Sequence, residues 1–156
     1  MRFWSALPIA ALLLGGCASS SEQIAALPKL EMRQLTAAEK EALRKSLSQT
    51  MKDPDATQFK WLPAVVARKD KPADTPMGYC GLVNAKNSFG GYVGFKRFYA
   101  TITRNAKDEY DRGVIEHVEG TPITFGGTST VGDAMETGAM EGSCKAWGYT
   151  DFTAAS

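Results

Sequence analysis

Histidine is nearly absent from this chain: His117 stands alone among 156 residues. That scarcity argues against most metal sites, which draw on several imidazole or thiolate ligands, and against most triads, which set an imidazole beside a nucleophile. A charge excess is also missing. The 18 Lys plus Arg face 17 Asp plus Glu, a formal net charge of +1, so the chain lacks the cationic surplus with which proteins neutralise nucleic-acid phosphates. Nor does it hold the run of ~20 apolar residues that a membrane-spanning helix needs. Its most apolar stretch, Phe3 to Leu14, is short and broken by Ser5 and Pro8. Cysteine is sparse, three residues in all. What is there, 44% hydrophobic and 22% charged, suits one ordinary globular domain with something attached.

The attachment is at the front. Residues 1–16 carry Arg2 and then the apolar run, the layout of a secretory signal. The run closes on Leu14-Gly15-Gly16-Cys17, followed by Ala18 and a serine triplet. These residues resemble the lipobox of bacterial lipoproteins, a small-residue cleavage site placed directly before a Cys. The resemblance implies that residues 1–16 are a cleaved signal peptide. It implies that Cys17 then becomes the N-terminus, bearing a thioether-linked diacylglycerol and an amide-linked fatty acid such as palmitate. Several acyl chains hold a protein stably on a membrane where one holds it marginally. In that family Asp after the Cys favours the inner membrane. Ala18 stands there instead, implying the periplasmic face of the outer membrane. A chain beginning at Cys17 has lost Arg2 and is formally neutral.

With Cys17 assigned to lipid, Cys80 and Cys144 remain as an even pair in an oxidising compartment, where structural disulfides persist. Closing a loop of that length stabilises a fold by about 4 kcal/mol in the chain-entropy model. The alternative is a reactive thiol partnered by His117.

Residues 17–34, Ser- and Ala-rich with Pro28 inside, read as a tether, and residues 35–156 as a single periplasmic domain. Thr36-Ala37-Ala38-Glu39 has capping-box spacing, and Leu43, Leu47 and Met51 recur every fourth residue behind it. A helix is expected to run from there to Asp53-Pro54, since the residue before Pro leaves the helical region. Extended stretches follow: Phe59 to Val66 with Pro63 inside, Tyr79 to Val83, Tyr92 to Thr103 and Val114 to Val118, with Arg104 to Arg112 as a charged turn or short helix. In the last quarter Val131, Met135, Met140 and Cys144 have near-helical spacing, which Gly132, Gly138 and Gly142 weaken by about 1 kcal/mol each. Trp147, Tyr149 and Phe152 suit a final extended piece. The expected fold is α+β, an N-terminal helix on a small antiparallel β-sheet.

The densest signal is Cys80 to Phe98, CGLVNAKNSFGGYVGFKRF, with Asn84, Lys86, Asn87, Phe89 and Tyr92 among its glycines. Glycine permits positive φ and close approach, and aromatics supply rigid contact area. The stretch reads as a recognition loop or as a twisted hairpin whose aromatics form the core, the second favoured because strand glycines mark bulges. A phosphate cradle does not fit, because no Lys-Ser or Lys-Thr follows the glycines. Together with Asp53-Pro54-Asp55-Ala56 and Phe59, the pieces Cys80-Gly81, Val83-Asn84, Lys86-Asn87, Phe89-Gly90-Gly91-Tyr92 and Gly94 resemble a pattern in small exported bacterial proteins of unassigned function. The resemblance implies a shared fold and no activity.

Chemistry elsewhere is thin. Glu116 and Glu119 flank His117, but neighbours on a strand point to opposite faces. No cofactor or metal ligand set is expected. The sequence favours a lipid-anchored, non-enzymatic binding or assembly component of the envelope, contacting an envelope protein or peptidoglycan and no nucleic acid. Two alternatives stay open: an envelope-polymer hydrolase using His117 with Glu116 and Glu119, and an inhibitor or exclusion lipoprotein presenting the Asn84 to Tyr92 loop.

Overall fold

The computed structural model describes residues 30–121, 124–125, 128–129 and 133–156; residues 1–16, Cys17 and most of the expected tether lie outside them. In chain order the elements are β1 (Met32–Arg33), α1 (Ala37–Leu47), a 3-10 turn (Ser48–Thr50), β2 (Gln58–Lys60), β3 (Ala64–Val65), β4 (Met77–Asn84), β5 (Lys96–Arg104), β6 (Tyr110–Val118), β7 (Thr124–Phe125), β8 (Thr128–Ser129) and α2 (Asp133–Ala146). All strand pairs are antiparallel, and the fold is α+β.

Thr36 starts α1 through the reciprocal bonds its spacing predicts. Its Oγ1 accepts from the Glu39 N–H at 3.2 Å, and the Glu39 carboxylate accepts from the Thr36 N–H at 2.8 Å. Leu43 and Leu47 are buried and Met51 packs against the core. The helix stops at Leu47, short of Asp53-Pro54. Ser48 and Thr50 are weaker helix formers than the residues before them, and the chain tightens there into the 3-10 turn.

The main sheet has the order β2-β4-β5-β6. Along β5, Phe98, Ala100, Ile102 and Arg104 are buried while Arg97, Tyr99, Thr101 and Thr103 are half-buried, the period-two pattern of a strand. On β4 both faces are covered. Tyr79 lies in an aromatic cluster, 6.3 Å from Trp61, 6.0 Å from Phe98 and 5.7 Å from Tyr149 between ring centroids. Its hydroxyl donates to Leu62 O and accepts from Leu62 N–H, both at 2.9 Å. On the other face Gly78 lies under Trp147, so close that a Cβ would fall 2.1 Å from the indole Nε1. Cys80 joins Cys144 of α2 in a disulfide with a Cα–Cα distance of 6.0 Å. Because Gly78 and Tyr79 face opposite ways, Trp147 and Tyr149 carry the chain around the edge of β4. Ser156 then exchanges backbone hydrogen bonds with Trp61, at 2.8 and 3.2 Å.

Several expectations change. The end of the expected tether is structured: β1 pairs with β3, and Leu30 and Met32 pack on the core. The third extended stretch starts at Lys96 instead of Tyr92, because residues 91–95 are exposed and have no strand partner beyond a single Lys86–Tyr92 bridge. Arg104 to Arg112 holds a turn and then the start of β6. Its turn has the Asn105 side chain accepting from the N–H groups of Lys107 and Glu109. After α2 the expected extended piece joins no strand ladder, but Trp147, Tyr149 and Phe152 do pack on the core. Among the described residues no helix is long and apolar enough to cross a membrane.

Candidate functional site

Asp53-Pro54-Asp55-Ala56 folds into a turn whose first residue works twice. Asp53 Oδ1 accepts from the Ala56 N–H at 3.2 Å, and its backbone carbonyl accepts from the Thr57 hydroxyl at 2.9 Å. Oδ2 is left to meet Lys86 Nζ at 2.8 Å. The hydrogen bond from Lys86, with that from Ala56, holds the Asp53 carboxyl below its usual range, while Asp53 raises Lys86 in turn.

Lys86 and Tyr92 form the base of a short loop. Asn87 organises its tip: the backbone N–H donates to Gly91 O at 2.9 Å, the carbonyl accepts from the Gly90 N–H at 3.1 Å, and the side-chain oxygen accepts from the Phe89 and Gly91 N–H groups at 2.9 and 3.0 Å. Gly90 has φ +83°, a left-handed conformation that suits glycine. The loop is fastened to the Asp53 turn at two further points. Tyr92 donates its hydroxyl to Ala56 O at 2.7 Å, and Lys52 Nζ donates to Ser88 O at 3.1 Å. Asn84 Nδ2 donates to Gln58 Oε1 at 3.1 Å, joining the end of β4 to β2. Residues distant in sequence thus form one braced unit: Asp53, Ala56, Lys86, Asn87 and Tyr92.

What this unit presents is apolar. Phe89 is 97% exposed, Val93 57%, Tyr92 44% and Phe95 39%. This corrects the expectation that the aromatics of the stretch form a hairpin core. Only Phe98 is buried there, with Phe59 meeting its ring edge-on at 5.7 Å. The tip bonds so completely to its own backbone that its side chains are left pointing outward. Beside the loop lies a groove of about 280 Å³, lined by Met51, Val83, Ala85, Val93 and Val118, with Lys96 and Glu119. Val93, Phe95, Lys52 and Lys60 were not singled out in the sequence. The run of exposed residues from Asn87 to Lys96, which would have marked them, is visible only in three dimensions.

The acid-base candidates of the hydrolytic alternative stand in different settings. Glu119 is held by Arg97, accepting from Nη2 at 2.8 Å and from the backbone N–H at 3.2 Å, and Arg97 lowers its pKa. Glu116 is exposed, beside an irregularity in the β5–β6 ladder, while His117 lies opposite Tyr99 with Nε2 buried and without a hydrogen-bond partner among the described residues. The disulfide leaves neither Cys80 nor Cys144 as a thiol for His117 to activate. Among the described residues no group of three or more His, Cys, Asp or Glu side chains is placed to hold a metal ion.

Comparison of the chain with protein-family models, with curated proteins and with solved structures finds no match in any of the three.

Proposed function

We propose that the protein is a lipid-anchored, non-enzymatic component of the cell envelope that binds a neighbouring envelope surface through the Asn84 to Phe95 loop. The observation that carries this reading is Phe89, a bare aromatic side chain on a turn whose backbone is locked by Asn87. Exposing a Phe forgoes about 1.5–3 kcal/mol of burial. A loop braced by Asp53, Ala56 and Lys52 holds that side chain outside, which suits binding by a preorganised surface. The lipobox-like Leu14-Gly15-Gly16-Cys17 supports the anchor, and Ala18 supports the periplasmic face of the outer membrane.

The test is made in growing cells. With a photoreactive residue in place of exposed Ser88, irradiation is expected to yield an envelope adduct, and mass spectrometry of the membrane fraction an acylated Cys17. No adduct at Ser88 overturns the binding role, and an unmodified Cys17 overturns the anchor.

A further inference from the structure

We infer that the surface this loop binds is an anionic lipid bilayer: Phe89, Tyr92, Val93 and Phe95 enter the interface, and Lys52, Lys60 and Lys96 meet the headgroups. The inference rests on the binding role proposed above and names its target. All ten residues from Asn87 to Lys96 are exposed, Phe89 almost fully, and of their apolar side chains only Val93 borders the groove. Cations are in excess around them. Asp53 and Glu119 are paired with Lys86 and Arg97, which leaves exposed Asp55, next to the Ala56 that Tyr92 bonds, as the carboxylate there without an ion pair among the described residues. Lys52, Lys60 and Lys96 form no ion pair among the described residues. Lys52 leans on Ser88 O, and Lys60 Nζ lies 4.9 Å from the centre of the Phe95 ring.

That composition separates the two classes of target. Protein interfaces are depleted in Lys. Interfacial membrane segments combine Phe and other large apolar side chains with Lys that reach anionic headgroups. The turn is already fixed, so insertion orders little further backbone. Geometry permits it as well. The chain between Cys17 and Leu30, fully extended, reaches ~40 Å, comparable with the breadth of a domain of this size. A lipid at Cys17 therefore leaves the loop free to face the same bilayer, and tethering raises its local concentration there.

The experiment uses the full acylated protein, purified and reconstituted in vesicles of phosphatidylethanolamine with phosphatidylglycerol or of phosphatidylcholine alone. Phe89 is replaced by a photoreactive phenylalanine analogue, and a parallel sample carries the same group at exposed Asp70. Irradiation is expected to add one phospholipid mass to the Asn87–Lys96 peptide, at least tenfold more with phosphatidylglycerol than without. The Lys52→Gln, Lys60→Gln, Lys96→Gln variant is expected to remove that preference. A phospholipid yield no greater than at Asp70, or one indifferent to the three lysines, overturns the inference. So does a protein adduct, of a second copy in vesicles or of another envelope protein in cells, in place of lipid. Acylation of Cys17 is read from the same digest, so failure of the anchor and failure of the loop are told apart.

Discussion

Glu39 lies almost wholly inside the protein, 2% exposed, where a carboxylate is costly unless its lone pairs are used. They are. It accepts from Arg33 Nη1 at 2.8 Å and Nη2 at 2.5 Å, from the Thr36 N–H at 2.8 Å and from the Tyr110 N–H at 3.0 Å. Burial pushes its pKa up, but these hydrogen bonds outweigh burial and bring it down from 4.5 to about 2. Since the folded value is the lower one, the stabilisation is complete above about pH 4.5 and is lost as pH falls towards 2, a contribution of about 3 kcal/mol. Glu39→Gln is expected to cost about 2–3 kcal/mol at neutral pH and to flatten the acid limb of stability between those values. Urea melts over a pH series would show both. At Gly78 the constraint is steric. Gly78→Ala drives a methyl into the Trp147 ring and is expected to cost about 1–3 kcal/mol as an overpacking change, with a shift in Trp fluorescence as the indole moves.

At the scale of elements, α1 closes an edge as well as covering a face. β6 is the last strand of the main sheet, and such an edge invites pairing with other chains. Ser46 of α1 occupies it, its hydroxyl donating to Gly113 O and accepting from Gly113 N–H, both at 2.8 Å. Ser46→Ala leaves both backbone groups without that partner and is expected to cost about 1–3 kcal/mol and to raise the aggregation rate, measured by light scattering below the unfolding midpoint. The beginning of α1 was legible because Thr36 and Glu39 are a local signal. The role of Ser46 was not, because its partner is 67 positions away. For the same reason Asp53-Pro54-Asp55-Ala56 and Lys86-Asn87 could be singled out in the sequence, while the ion pair joining them could not. Alternation marked β5 correctly from Lys96 onward. It misled between Tyr92 and Phe95, where exposed aromatics mimic strand residues.

The molecule as a whole is tied together late in its sequence. The disulfide spans 64 positions and links α2 to β4. α2 also buries Met140 and Cys144, and its glycines Gly138 and Gly142 lie where nothing crowds them. The near-helical spacing of Met140 and Cys144 prevails there over two glycines because burial and the bridge hold the element in place. Cys80→Ser with Cys144→Ser is expected to lower stability by about 4 kcal/mol, seen as an earlier urea midpoint, with the α1–sheet contacts kept. The α+β class was legible from periodicity alone. The wrapping of Trp147 and Tyr149 around β4 was not, since no sequence period reports which face a loop crosses to. At the opposite end, β1 has a mechanical consequence. Among the described residues, tension applied through the proposed anchor at Cys17 would be borne first by the two-residue β1–β3 ladder and the Arg33–Glu39 pair. Under such a load these short attachments are expected to act as a fuse, parting before the disulfide-tied sheet while the loop face stays intact.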